Sequence, residues 1–190
     1  MTRGFHRARG GKITARFDRD EAEILRVLAG QLIDLISADA DDADASADAA
    51  DPLAAELGLT GLGREGRTER PDDPVLARLF PDAYSGDDAA AGEFRRFTED
   101  SLRDGKHAAA DLLITTVPDH GGTVTLDESQ AQQWMRALND MRLALGTRLG
   151  VTEQAQEQIA RMTPDDPRYP GFAAYDWLSF LQDTLVRALT

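Results

Sequence analysis

Residues 131–150 read AQQWMRALNDMRLALGTRLG, with apolar side chains recurring at Ala131, Trp134, Leu138, Met141 and Leu145. That 3-4-3-4 spacing marks one face of a helix that has to be buried. Met135, Leu143 and Leu149 widen the face until little of the helix is left for water. A helix this apolar belongs at the centre of a bundle, and the rest of the chain is expected to be organised around it. Asp127 and Gln130 stand at capping-box spacing before it, and Gly150 follows its last apolar residue, where a left-handed C-cap is expected.

Upstream, residues 5–17 (FHRARGGKITARF) read as a hairpin turning at Gly10-Gly11, since paired glycines supply the positive φ of a two-residue turn. In that register Arg9 faces Lys12, Arg7 faces Thr14 and Phe5 faces Arg16, which makes one face basic. The other carries Ala8 with Ile13, His6 with Ala15, and Phe17, and is expected to pack on helices, because a two-stranded hairpin is marginal alone. Asp18 and Glu21 then open a first helix with a buried stripe of Ile24, Leu25, Leu28, Leu32, Leu35 and Ile36, ending near Ser37.

Residues 39–51 (DADDADASADAAD) cannot bury enough apolar area to offset ordering entropy, and their like charges repel. They lack the spacing, glycine and glutamate of an EF-hand loop. Residues 38–72 are therefore expected to be an acidic, largely disordered insert, relieved by a short helix at 53–57. Asp73-Pro74 signals a helix over 75–80, stopped by Pro81. A longer helix is expected over 89–116, with Phe94, Phe97, Ala108, Leu112 and Leu113 inward. An extended piece at 123–126 precedes the central helix. Thr152 caps a further helix to about Met162. Pro164, Pro167 and Pro170 enforce a loop, and a last helix is expected over 174–188 on Trp177, Leu178, Leu181 and Leu185. The fold class is mostly α: one domain over 1–190, a helical bundle with an N-terminal β-hairpin.

At 190 residues the chain can bury a proper core. Its net charge of −13 argues against a general binder of nucleic acid or anionic membranes. The absence of cysteine excludes disulfides, thiol nucleophiles and thiolate metal sites. No apolar run approaches the ~18 residues of a membrane span, and residues 1–11 have charge without the apolar stretch of a signal peptide. The expected location is cytoplasmic.

Few residues invite chemistry. Arg95, Glu99 and Arg103 are spaced i, i+4, i+8, as are Arg96 and Asp100 at i, i+4. An Arg-lined anion site is one reading, but with acids already in reach a pair of solvated charge ladders is the better one. Arg142 and Arg148 have no carboxylate at helical spacing, so on a largely buried helix each must reach water or an acid elsewhere. Glu93, Glu99 and Asp82 are the candidates. Arg136 and Asp140 pair at i, i+4. The basic hairpin face of Arg7, Arg9, Lys12 and Arg16 is the candidate partner surface. The histidines His6, His107 and His120 are scattered, and the Glu-x-x-His pairs of a di-metal bundle are missing. No nucleophile elbow, Walker loop or dinucleotide fingerprint is present. No catalytic residue, cofactor or metal is expected.

The blocks PVLARLFPDAY (74–84), EFRRFTEDSLRDGK (93–106) and LNDMRLALGTRLG (138–150) resemble an actinobacterial family catalogued only as a domain of unknown function. The ending YDWLSFLQDTLVRAL and the opening FHRARGGKI are similar too. The resemblance spans nearly all of the chain except 38–72. It carries no catalytic residue over. Family members tend to be encoded beside the Clp protease adaptor that recognises N-terminal degrons, which implies a link to regulated proteolysis. Together these readings favour a non-enzymatic cytoplasmic interaction or regulatory protein with a partner in the Clp system. The alternative is an enzyme or small-anion-binding protein using an Arg/carboxylate pocket around Arg142 and Arg95.

Overall fold

The computed structural model describes residues 3–50, 68–83, 87–152 and 162–190, with 39–50 and 88 described by backbone alone. Strands β1 (Arg3–Arg7) and β2 (Ile13–Phe17) lead into helix α1 (Arg19–Ala50). Helices α2 (Pro74–Leu79) and α3 (Asp88–Thr116), strand β3 (Gly122–Leu126) and helices α4 (Glu128–Leu149) and α5 (Tyr169–Leu189) follow. The chain is mostly helical with a small antiparallel sheet, as its periodicity predicts.

Helix α4 is the hub. It packs against α5, α3, α2 and α1 and touches β3. Ala131, Trp134 and Leu138 are wholly buried, with Met141 beside them. The expected box forms at its start: Gln130 N donates to Asp127 Oδ1 at 2.9 Å and Asp127 N to Gln130 Oε1 at 3.0 Å. Gly150 ends it in the left-handed conformation, φ 65° and ψ 36°. Trp134 anchors an aromatic cluster, its ring 5.5 Å from Phe5 and 5.9 Å from Phe17, with Trp177 6.4 Å from Phe17. Its indole N–H is satisfied by Thr116 Oγ1 at 2.8 Å, so the large ring is buried without stranding its donor.

The hairpin forms, but not in the expected register. Its loop takes three residues, Arg9, Gly10 and Gly11, with Ala8 N donating to Lys12 O at 2.7 Å and both glycines at φ 75°. His6 therefore pairs with Thr14 and Arg7 with Ile13, one residue away from a two-residue loop. The reason is Phe5. A two-residue loop would put it outside and His6 inside, whereas here Phe5 is buried, which is worth roughly 1.5–3 kcal/mol. β3 adds a third strand along β2, pairing Ile13 with Leu126 and Phe17 with Gly122. The sheet is thus broader than the two-stranded hairpin expected.

The Asp18–Glu21 box opens α1, each backbone N–H bonded to the other's carboxylate at 2.8 and 2.9 Å. Ala22, Leu25, Ala29, Leu32 and Ile36 face the core, while Ile24 is exposed. The helix does not stop near Ser37, and its backbone stays helical to Ala50. Once a helix is nucleated by a packed segment, each added residue gains a backbone bond without needing burial, and alanine is the best residue for it. The first helix therefore runs on through 39–50. Residues 51–67, with the helix expected at 53–57, lie outside the described residues, as does most of the helix expected after Thr152.

Asp73 caps α2 as expected, accepting from Leu76 N at 3.2 Å and Val75 N at 2.6 Å. In α3 the expected face holds at Leu112 and Leu113 and fails upstream of them. Phe94, Phe97 and Ala108 are exposed, and the buried stripe is Ala91, Arg95, Glu99, Arg103, Ala110, Leu113 and Val117. α5 begins at Tyr169 rather than near Ala174, because Pro170 sits in its first turn, where a missing N–H costs nothing.

Candidate functional site

The buried part of α3 carries charge where a bundle ordinarily carries aliphatic side chains. Glu99 takes two guanidinium groups, one on each oxygen. Arg95 Nη1 donates to Oε2 at 3.0 Å, while Arg103 donates to Oε1 from Nη2 at 2.6 Å and from Nε at 3.1 Å. Arg95 also reaches Asp82 just past α2, and Arg103 Nη1 donates to the Ile36 carbonyl of α1 at 3.0 Å. Arg95, Glu99 and Arg103 are each at least nine-tenths buried. The ladder expected to be solvated is therefore an interior network that ties α3 to α1 and to the end of α2.

One turn on, Lys106 Nζ donates to Asp140 of α4 at 2.8 Å. Asp140 does not pair with Arg136; it turns inward to α3. Between the two ion pairs lies the buried ring of Phe80, with Arg103 Cζ 4.5 Å and Lys106 Nζ 5.7 Å from its centroid. A cation over an aromatic face is favoured once water is excluded. In this network Asp82, Glu99 and Asp140 answer Arg95, Arg103 and Lys106, and Arg70 also comes within 4.0 Å of Asp82. The guanidinium donors named here are directed to protein acceptors, so the geometry suits a structural clamp more than an anion-binding pocket.

Arg142 and Arg148 do not join it. Of the acids suggested for them, Asp82 and Glu99 serve Arg95 and Arg103 instead, and Glu93 is exposed and reaches neither. Among the described residues Arg142 makes no ion pair, and its Nε is buried without a hydrogen-bond partner. Arg148 is exposed at the rim of a shallow groove between α1 and α4, with Leu28, Leu32 and Met141.

The hairpin arginines part company as well. Arg9 and Lys12 stand exposed at the tip. Arg7 points along the inner face to the end of α5, where Nε donates to the Ala188 carbonyl and Nη2 to the Leu189 carbonyl, both at 3.1 Å. A cation on the last carbonyls of a helix offsets their partial negative charge. Arg16 lies at the other end of the sheet, directly across from Arg3. Among the described residues no three His, Asp or Glu side chains gather as metal ligands would. No described helix is long and apolar enough to cross a membrane.

Comparison with known proteins agrees with the resemblance read from the blocks. The model of a family described as a domain of unknown function, DUF2017, matches residues 2–189. The oxidative stress regulator AosR of Mycobacterium tuberculosis H37Rv is 38% identical over 182 residues, covering 89% of this chain and 78% of that protein. The putative oxidative stress regulator AosR of Mycobacterium leprae is 33% identical over the same coverage. No solved structure matches the chain.

Proposed function

The chain belongs to the DUF2017 family, and from that premise we propose that it is a regulatory protein of the oxidative stress response, acting in the cytoplasm by binding a partner rather than by catalysis. The observation that carries this reading is the similarity, over 89% of the chain, to proteins named as oxidative stress regulators. Binding in place of catalysis is supported by the interior charges, which are committed to one another around Glu99 and Asp140. The chain has no cysteine, so a thiol–disulfide switch within it is excluded. A component of the Clp proteolysis system is the partner that the family resemblance implies.

Deleting the gene in its native organism and exposing the cells to hydrogen peroxide tests the reading. Survival is expected to fall, with oxidant-responsive transcripts altered and both restored by the intact chain. Unchanged survival and transcripts would overturn it. Altered protein half-lives with unaltered transcripts would replace transcriptional regulation with regulated degradation.

A further inference from the structure

At the end of the sheet opposite the hairpin tip, the start of β1, the end of β2 and the first turn of α1 enclose an open cleft of about 470 Å³. Arg3, Arg16, Arg19 and His120 line it, together with Asp18 and Glu21. We propose that this cleft is the contact point for an acidic segment of a partner protein, a run of Asp and Glu carboxylates received by Arg3, Arg16 and Arg19. The proposal rests on the reading of this chain as a binder.

Three observations carry it. Arg3 and Arg16 are cross-strand partners, and like charges directly opposite each other destabilise a strand pair. Neither these two nor Arg19 makes an ion pair among the described residues, in a protein whose net charge is −13. The acids beside them, Asp18 and Glu21, make no ion pair with these arginines, and each accepts the other's backbone N–H at the head of α1. The cleft wall is held in place, since Arg26 of α1 bridges to Asp119 at 3.1 Å and to the Val117 carbonyl at 2.9 Å. Three arginines against two carboxylates thus leave the cleft net positive, with none of the three guanidinium groups held by an acid among the described residues.

The exposure of these side chains selects the ligand. Arg3, Arg16, Arg19 and His120 all stand in water. An exposed ion pair is worth little by itself and is screened by salt, so a single small anion gains too little, whereas several carboxylates on one chain add their contacts. A nucleic-acid strand carries a charge at every phosphate along its length, and beyond these three arginines it would meet a protein of net charge −13. The chain's own acidic stretch at 39–50 lies at the far end of α1, roughly 30 Å from Arg19 at 1.5 Å per residue, so it does not serve the cleft of its own molecule.

The test is fluorescence anisotropy of a labelled peptide of alternating Glu and Ala with the purified full chain. Binding is expected at low salt, weakening as salt approaches physiological strength, where charges are screened within ~8 Å. The triple substitution Arg3→Ser, Arg16→Ser and Arg19→Ser should weaken it about tenfold or more, with a melting temperature equal to or above that of the parent. Replacing the same three by Lys should restore part of the affinity, since charge is kept and the two-point fork is lost. The proposal is overturned if the parent does not bind, if the triple Ser variant binds equally, or if Arg9→Ser with Lys12→Ser at the tip weakens binding as much. Displacement by an equal concentration of inorganic phosphate, or tighter binding of a single-stranded oligonucleotide, overturns it too. In cells, full rescue of the deletion strain by the triple Ser variant rejects the cleft and leaves the regulatory reading standing. Absence of any deletion phenotype rejects the regulatory reading and leaves the peptide measurement to decide the cleft.

Discussion

Lys106 on α3 and Asp140 on α4 form an ion pair of 2.8 Å in which only 5% of the Asp140 side chain meets water. A buried pair contributes little net stability, yet losing one partner is costly because the other stays charged in a poor solvent. Lys106→Met should therefore lower stability by about 3–5 kcal/mol, read from urea denaturation. Adding Asp140→Asn should recover much of that loss. Strictly additive effects of the two changes would show that they do not act on each other.

Glu99→Gln keeps the shape of the side chain and removes the charge that two buried guanidinium groups share. A loss of about 3–5 kcal/mol is expected, against less than about 0.5 kcal/mol for Asp100→Asn, one residue away and exposed, where Arg96 lies over the Phe97 ring and not on Asp100. Equal denaturation midpoints for the two variants would return the Arg95–Glu99–Arg103 ladder to solvent.

Much of this fold was legible because its signals are local. The Asp18, Asp73 and Asp127 caps, the Gly150 stop and the Trp134–Leu138–Met141 face depend on neighbours within a turn or two, and they stand where their spacing puts them. Two of the failures, the α3 face and the hairpin register, come from competition by a distant partner. Phe94 and Phe97 outweigh arginine on any hydropathy scale, yet α3 buries Arg95 and Arg103 because Glu99, Asp82 and the Ile36 carbonyl answer them. A signal was there to be read. The stripe Val117, Leu113 and Ala110, followed back at helical spacing, lands on Lys106, Arg103, Glu99 and Arg95. Asp140 likewise lies three residues after buried Ala137. In the hairpin, two glycines permit either loop length, and only burial of Phe5 against Trp134 selects between them. The cleft was illegible because Arg3 and Arg19 meet Arg16 through strand pairing and a helix start, which no motif encodes.

Arg7→Ser should act on the end of the chain and not on partner binding. The Ala188 and Leu189 carbonyls lose their charged donor, a change of about 1 kcal/mol. Faster hydrogen exchange in the last turn of α5 is the expected readout, with affinity for an acidic peptide unaltered. Loss of peptide binding with unchanged exchange would put Arg7 back on a partner surface.

Arg142→Leu distinguishes a burdened core from an ion pair. Arg142 Nε is buried without a partner; of the acids that might have met the guanidinium, Asp82 and Glu99 are bound to Arg95 and Arg103 and Glu93 is exposed. A leucine there removes an unsatisfied donor and keeps the aliphatic packing of the stem on α4. Stability should stay level or rise by about 1–2 kcal/mol, and the acidic-peptide affinity should not change. A fall of about 3 kcal/mol in chemical denaturation would mean that a carboxylate depends on Arg142 after all, because a stranded buried acid has that cost.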